Sequence, residues 1–168
     1  MKFHKKLVCC TWTGPLGPMT LAAHEDALVG IWFDGQQHQP NLSVSIAQGQ
    51  DHPLLQTARA QLQAYFAGQR TVFDLPLDLS GGTAFQQDVW RALLEIAPGT
   101  TVSYISVSQR IARPTAVRAV GAAIGRNPLS IVVPCHRVVG SSGALTGYAG
   151  GLDRKIALLQ LESPFFDQ

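Results

Sequence analysis

The triplet Ser80-Gly81-Gly82 falls near the middle of the chain and separates two stretches with different hydrophobic periods. Ahead of it, Leu7–Trp12 and Met19–Ala23 read as strands flanking the turn-rich segment 13–18, and Leu28–Phe33 reads as a third. The Gln, Gly, Asn and Ser content of Gly35–Asp51 predicts a loop, although Leu42, Val44 and Ile46 alternate in a way that allows pairing at a sheet edge. From Pro53, the positions Leu54, Leu55, Ala58, Leu62, Tyr65 and Phe66 keep helical spacing, with Gly68 as the stop. Thr71–Leu77 reads as another strand.

Behind the triplet the pattern turns helical. Thr83 and Gln86 form a T-x-x-Q capping box, which predicts a helix burying Phe85, Val89, Trp90, Leu93 and Leu94 and ending at Pro98-Gly99. Two shorter helices are expected over Tyr104–Ala112 and Thr115–Arg126, and their close spacing across Arg113-Pro114 is compatible with a helix-turn-helix. Asn127-Pro128 stops the second. Ile131-Val132-Val133 then reads as a buried strand ending at Pro134, Ser141–Gly151 as a loop, and Asp153 as the cap of a last helix carrying Ile156, Leu158, Leu159 and Leu161. The expected class is α+β, with residues 1–82 as one unit and residues 83–168 as a second, mainly helical one. At 168 residues the chain is long enough for two small domains sharing a packed boundary.

Charge separates the halves as well. Residues 1–95 hold six Lys/Arg against eight Asp/Glu, and residues 96–168 hold seven against three. No acidic residue lies between Glu95 and Asp153, where Arg110, Arg113, Arg118, Arg126 and Arg137 fall. A basic half suits a polyanionic partner, although an ordinary solvated face gives the same charge count. With 46% apolar and 14% charged residues, a buried core is expected and disorder is not. Three cysteines, two of them adjacent, make no disulfide framework and suit a reducing compartment. No apolar run reaches membrane-spanning length and the start lacks the core of a signal peptide, so the expected setting is the cytoplasm, with no membrane partner.

The helix over Thr115–Arg126 is built from small residues: Ala116, Ala119, Gly121, Ala122, Ala123 and Gly125. Two glycines inside a helix each cost about 1 kcal/mol relative to Ala, so something must compensate. Tight packing against another helix would do so. So would entry of a slim rod into a confined space such as the DNA minor groove, about 6 Å wide.

Cys135 and His136 are the only cysteine and the only histidine after residue 52. A free thiol titrates near pH 8.5 (roughly), so a nucleophile at neutral pH needs a base or a positive charge nearby. His136 supplies a base and local arginines favour thiolate. Adjacent side chains on an extended chain point apart, so a turn or a bridging water is required between the two. Glu162, the only Glu after Glu95, is the candidate to orient the imidazole. A structural cysteine beside a surface histidine is the ordinary alternative for an isolated pair of this kind.

The whole segment Asn127-Pro128-Leu129-Ser130-Ile131-Val132-Val133-Pro134-Cys135-His136-Arg137-Val138-Val139-Gly140 resembles the active-site signature of the O6-alkylguanine-DNA alkyltransferases, bacterial constitutive type. Arg118-Ala119-Val120-Gly121, Gly147-Tyr148-Ala149-Gly150-Gly151 and Arg154-Lys155 with Leu158-Leu159 and Glu162 agree with it. Thr13–Gly17 and Tyr65-Phe66-Ala67-Gly68 match more loosely. The resemblance implies a small sheet-plus-helix, ribonuclease H-like N-terminal domain and a winged helix-turn-helix-like C-terminal domain. It implies irreversible, stoichiometric transfer of an alkyl group from O6 of guanine to Cys135, with some action on O4-alkylthymine. The partner would be duplex DNA carrying the lesion, bound through the minor groove by a monomer, with the damaged nucleotide rotated out of the stack.

By position in the resemblance, Cys135, His136, Glu162, Tyr104 and Asn127 would carry catalysis. Arg118 would fill the vacated space in the duplex, with Thr115, Ala119, Gly121, Ala122 and Arg126 on the same DNA-binding helix. Tyr148, Ala149, Val138, Ile124, Lys155 and Pro134 would form the substrate pocket, Lys155 also favouring thiolate. Ile124 stands where bacterial relatives usually have Asn, and Ser106 and Ser108 make the first helix of the turn motif more polar than usual. Lys5, His24 and Val29 occupy positions where some relatives bind zinc, and Cys9-Cys10 lacks a C-x-x-C spacing, so neither metal nor cofactor is expected. A cysteine hydrolase, a non-catalytic binder of alkylated DNA and a major-groove transcription factor are the alternatives. The first predicts turnover, the second lacks a use for Cys135, and the third needs more base-reading side chains than this helix offers.

Overall fold

The computed structural model describes residues 7–42 and 49–163. Strands β1 (Val8–Gly14), β2 (Gly17–His24) and β3 (Ala27–Phe33) form an antiparallel sheet in that order. Val44 and Ile46, two of the positions expected at a sheet edge, lie outside the described residues. Strand alternation sends the adjacent thiols to opposite faces: Cys10 packs in the main core, and Cys9 joins Ala22, Val29 and Trp32 behind the sheet. Burial, with the neighbouring Cys10, pushes the Cys9 thiol up to about 11, so it serves as a small apolar side chain.

Helix α1 (Pro53–Phe66) begins with proline in its first turn, ends before Gly68 at φ +69°, and buries Leu55, Ala58, Leu62 and Tyr65. The strand expected over Thr71–Leu77 does not form. Pro76 has no N–H to give a ladder, and the side-chain amide of Gln61 takes the place of a strand: its Nε2 donates to Asp74 O and its Oε1 accepts from Asp74 N, both at 2.9 Å. Only Leu77 makes a bridge, to Leu28.

Helix α2 (Ala84–Leu94) opens with both bonds of the capping box, Thr83 N to Gln86 Oε1 at 2.9 Å and Gln86 N to Thr83 Oγ1 at 3.3 Å. Val89, Trp90 and Leu93 are buried as expected, but Leu94 is 43% exposed, because Ile96 takes the interior place beyond it. A short strand β4 (Val102–Ser103) leads into α3 (Tyr104–Arg110), and a turn leads to α4 (Val117–Gly125). Both helices are shorter than predicted: Thr115 lies in the turn after Pro114, and Arg126 is the C-cap. Ser103 caps α3 and its Oγ meets Ser106 at 2.9 Å, which accounts for the polar start of that helix. The Trp90 indole donates to Ala123 O at 2.9 Å, fastening α4 to α2.

The expected strand Ile131-Val132-Val133 is a buried turn. Asn127 replaces the ladder by accepting from Leu129 N at 3.0 Å and donating to Val133 O at 2.8 Å, while Ile131 sits at φ +75°. A β-branched residue there costs about 1–2 kcal/mol and persists only where its surroundings hold it. They do: Ile31 N donates to Pro128 O and Ser130 N to Ile31 O, docking this turn on the outer edge of β3. The chain continues through a 3₁₀ turn (Cys135–Arg137) into β5 (Val138–Val139), parallel to β4, and after a loop into α5 (Leu152–Glu162). Gly151 at φ +91°, not Asp153, is the N-cap of α5; Asp153 lies in its first turn, where a carboxylate favours the helix dipole. No helix among the described residues is long and apolar enough to cross a membrane.

Gln61→Leu leaves the Asp74 amide and carbonyl without their partner and should cost about 1–3 kcal/mol. An unchanged urea midpoint would show that segment 71–77 is held by other contacts.

Candidate active site

The 3₁₀ turn brings Cys135 and His136 to different neighbours. Cys135 is buried, and its sulfur accepts from Asn127 Nδ2 at 3.0 Å, the same amide that braces the preceding turn. His136 Nε2 lies 2.9 Å from Glu162 Oε1, while its Nδ1 is buried and has no hydrogen-bond partner in the protein. Burial depresses the imidazole pKa more than Glu162 raises it, so His136 is neutral, with its proton on the nitrogen that faces the carboxylate. Nδ1 is thereby an acceptor.

Glu162 is the most heavily bonded group of the site. Oε1 accepts from Tyr65 at 2.8 Å, from Arg137 Nη2 at 2.7 Å and from His136; Oε2 accepts from Arg137 Nε at 2.8 Å and Gly99 N at 3.4 Å. Burial alone would raise its pKa, but the hydrogen bonds from His136 and Arg137, with the Arg137 charge, hold the carboxyl well below the usual range.

Arg137 therefore does not favour thiolate, as the sequence led us to expect of the local arginines, because its guanidinium is spent on Glu162 and on Ile96 O. Burial raises the Cys135 pKa, opposed first by the Asn127 hydrogen bond, then by the Lys155 ammonium, and less by the Tyr148 hydroxyl, which lies close without closing a full bond. Lys155 is buried under the loop before α5, donating to Val138 O at 2.6 Å and Thr146 O at 3.0 Å, and burial brings its pKa down to about 8.

A cavity of about 310 Å³ opens onto Cys135, walled by Gly121, Ala122, Ile124, Gly125 and Arg126 of α4 and its cap on one side and by Gly147, Tyr148 and Ala149 on another. Of the expected pocket residues, Tyr148, Ala149 and Ile124 line it. Val138 and Lys155 lie behind it, bonded to each other, and Pro134 faces a separate groove beside Pro98 and Arg137. Tyr104 reaches Thr146 O at 3.2 Å, with its ring beside Gly121 of the cavity wall. Thr115, Arg118, Ala119, Ala122 and Arg126 are exposed on one face of the helix and its flanks. Neither glycine of α4 is required by packing: a Cβ at Gly125 would meet nothing within 4 Å, and one at Gly121 only the Tyr104 ring at 3.8 Å.

Four contributors were not foreseen. Tyr65 reads in the sequence as an apolar helix position and part of the loosely matching Tyr65-Phe66-Ala67-Gly68, with no role at the site. Gln37 and His38 also wall the cavity, held there by Gln37 N to Ala149 O at 3.0 Å. Buried Gln36 accepts from Ser130 Oγ at 3.0 Å and so ties their loop to the active-site turn. Nothing local in a Gln-rich loop signals this.

Fold and site together define a class: a helix-turn-helix protein whose second helix walls a buried cysteine backed by histidine and glutamate. Residues 84–164 match the 6-O-methylguanine DNA methyltransferase, DNA binding domain, and residues 7–79 match the ribonuclease-like domain of the same proteins. The methylated-DNA–protein-cysteine methyltransferase of Mycobacterium tuberculosis is 49% identical over 152 residues, 90% of each chain. Its namesake from Methanosarcina acetivorans is 45% identical over 148 residues, covering 88% of this chain and 93% of the relative. The crystal structure of Mycobacterium tuberculosis OGT in complex with DNA superposes with a TM-score of 0.84 at 46% identity, over 93% of this chain and 92% of that one. The chain belongs to the 6-O-methylguanine DNA methyltransferase family.

Because Glu162 titrates lower in the folded protein than its ordinary 4.5, its stabilising contribution is complete above that pH and is lost as pH falls below it, where the unfolded chain binds the proton first. Glu162→Gln should destabilise the protein at pH 7 by about 3–5 kcal/mol and flatten the loss of stability on acidification. Urea titrations from pH 7 down to about 3.5 check this; parallel pH profiles for the two proteins would contradict it.

Proposed function

We propose that this protein repairs alkylated DNA directly, by transferring the alkyl group from O6 of guanine in a flipped-out nucleotide to Cys135, once per molecule. The observation that carries the proposal is that a single helix, α4, exposes Arg118 and Ala119 to solvent and that the adjoining part of the same surface, with Ala122 and the cap Arg126, also walls the Cys135 cavity. A nucleotide rotated out of a duplex held on that face would enter the cavity beside the sulfur. Residues 83–168 then carry DNA binding and chemistry, and residues 1–82 scaffold them. The protein acts in the cytoplasm as a monomer without a cofactor, approaches from the minor groove and takes O4-alkylthymine as a secondary substrate.

The chemistry follows from the residue types. Glu162 fixes the His136 tautomer, and the free Nδ1 takes the Cys135 proton through a bridging water. The Asn127 amide and the Lys155 ammonium favour the thiolate. The sulfur lone pair forms the S–C bond while the C–O bond breaks, its electron pair passing to the guanine oxygen. Tyr104 delivers a proton toward N3, so the base departs uncharged. The Tyr148 ring flanks the base, the Ala149 amide and the Cys135 carbonyl read its edges, and Arg118 occupies the place it left. The thioether has no leaving group that would restore the thiol, so the protein does not turn over.

Small residues on α4 support a helix shaped for a partner. Gly121, inside α4, forgoes about 1 kcal/mol of helix stability without a packing need in the free protein, and Gly125, its last residue, has no packing need either.

Intact mass spectrometry after mixing with a methylated duplex should show one added methyl, mapped to Cys135, and Cys135→Ala should abolish it while keeping DNA binding. Disappearance of the lesion with the sulfur unmodified, or repeated cycles, would overturn the proposal. Gly121→Ala should stabilise the free protein by about 0.5–1 kcal/mol and slow transfer from duplex DNA several-fold. Thermal unfolding and single-turnover kinetics check it; a stabilised variant with undiminished transfer would remove the reason given for the glycine.

A further inference from the structure

Glu162 Oε1 is over-subscribed. A carboxylate offers about two lone-pair sites per oxygen, yet the Tyr65 hydroxyl, Arg137 Nη2 and His136 Nε2 all lie within 2.9 Å of this one atom. Donors sharing an acceptor weaken one another, so the grip on His136 depends on the other two. Arg137 makes two bonds to Glu162 and cannot easily leave. Tyr65 makes one, and it comes from α1, remote in sequence from every other member of the site. Its ring is fixed between Phe66, edge-on at 5.4 Å, and Phe73, tilted at 5.4 Å, and is 1% exposed.

We propose that Tyr65 is a positioning residue for alkyl transfer: its hydroxyl, held by the packing of α1, sets how strongly Glu162 binds the Nε2 proton of His136 and thereby how good a base Nδ1 is. The proposal rests on the alkyl-transfer reading above only for its consequence; the coupling itself is a property of the folded protein. Burial and the Glu162 carboxylate keep the phenol far above its ordinary pKa, so it donates at any working pH. The other charged or titratable groups around the pair are Arg137 from the 3₁₀ turn, Lys155 on α5, which disfavours the imidazolium, and Tyr148 on the loop, which senses Tyr65.

Removing the hydroxyl leaves Oε1 more negative toward the imidazole and raises its affinity for a second proton. In full-length Tyr65→Phe, the His136 titration followed by ¹⁵N NMR should move up by about half a pH unit or more. The acid limb of the single-turnover rate should move with it, at unchanged half-saturation by DNA. Placing 3,5-difluorotyrosine at residue 65, a stronger donor in the same packing, should move both in the opposite direction. This second protein keeps the test decisive if the phenylalanine variant folds poorly.

A hydroxyl that merely holds α1 in place would lower the unfolding midpoint and leave the His136 titration untouched in both proteins; that result overturns the proposal. If the titrations shift in opposite directions while the parent never gains a methyl on Cys135, the coupling stands and the alkyl-transfer reading fails. If the parent is methylated and neither titration moves, the reverse holds.

Discussion

One buried carboxylate sets the terms for the rest of the molecule. The Glu162 side chain is 1% exposed, and an isolated charge so far from water would be prohibitively costly. It survives because donors converge from three places in the chain: α1, the Gly99 turn and the 3₁₀ turn. None of these segments can supply its donor until it is packed, so the charge is satisfied only in the complete fold. In that arrangement the ion pair with Arg137 does not serve stability alone. It holds Glu162 ionised, which fixes the proton of His136 on one nitrogen and leaves the other free.

The second constraint is the turn before Cys135. Asn127 spends one side-chain amide on the sulfur, on Val133 O and, more distantly, on Leu129 O. The position of the sulfur and its electrostatics are thus set by the same group. That turn also presses its backbone onto the free edge of β3, while Gln36 and Ser130 bond beside it. Residues from both halves of the chain, Ile31 and Gln36 with Asn127 and Ser130, thus hold one thiol at the floor of a cavity. This explains how a β-branched residue, Ile131, is kept at a positive φ there.

The chemistry of the site was legible in the sequence because it is written in rare residues. Cys135, His136 and Glu162 stand almost alone of their kinds in the second half, and the structure brings His136 and Glu162 together at 2.9 Å. Capping at Thr83, the three strands and the stop at Gly68 were legible because turn and cap chemistry acts within a few residues. What escaped depends on long-range docking. Thr71–Leu77 and Ile131–Val133 carry apolar patterns suited to strands, yet Gln61 and Asn127 satisfy their backbones with side-chain amides, which no period reveals. Tyr65 and Gln37 reach the site only through the way α1 and the loop after β3 pack against residues far along the chain.

A buried thiol is at first sight a poor choice of nucleophile, since burial holds it protonated. The arrangement makes sense if the thiol need not be ionised until substrate is present. Water-exposed thiolates are the ones that oxidise, and if each molecule reacts once, as proposed, it has the most to lose from a wasted reaction. Keeping the sulfur in a low-dielectric floor, with Lys155 and Asn127 behind it and a neutral base close by, stores the means of ionisation without its consequence. On the proposed reading, entry of the flat base into the cavity excludes water further, strengthening each of these interactions as the carbon comes within reach. Burial, which opposes reactivity in the resting protein, then confines that reactivity to the occupied site.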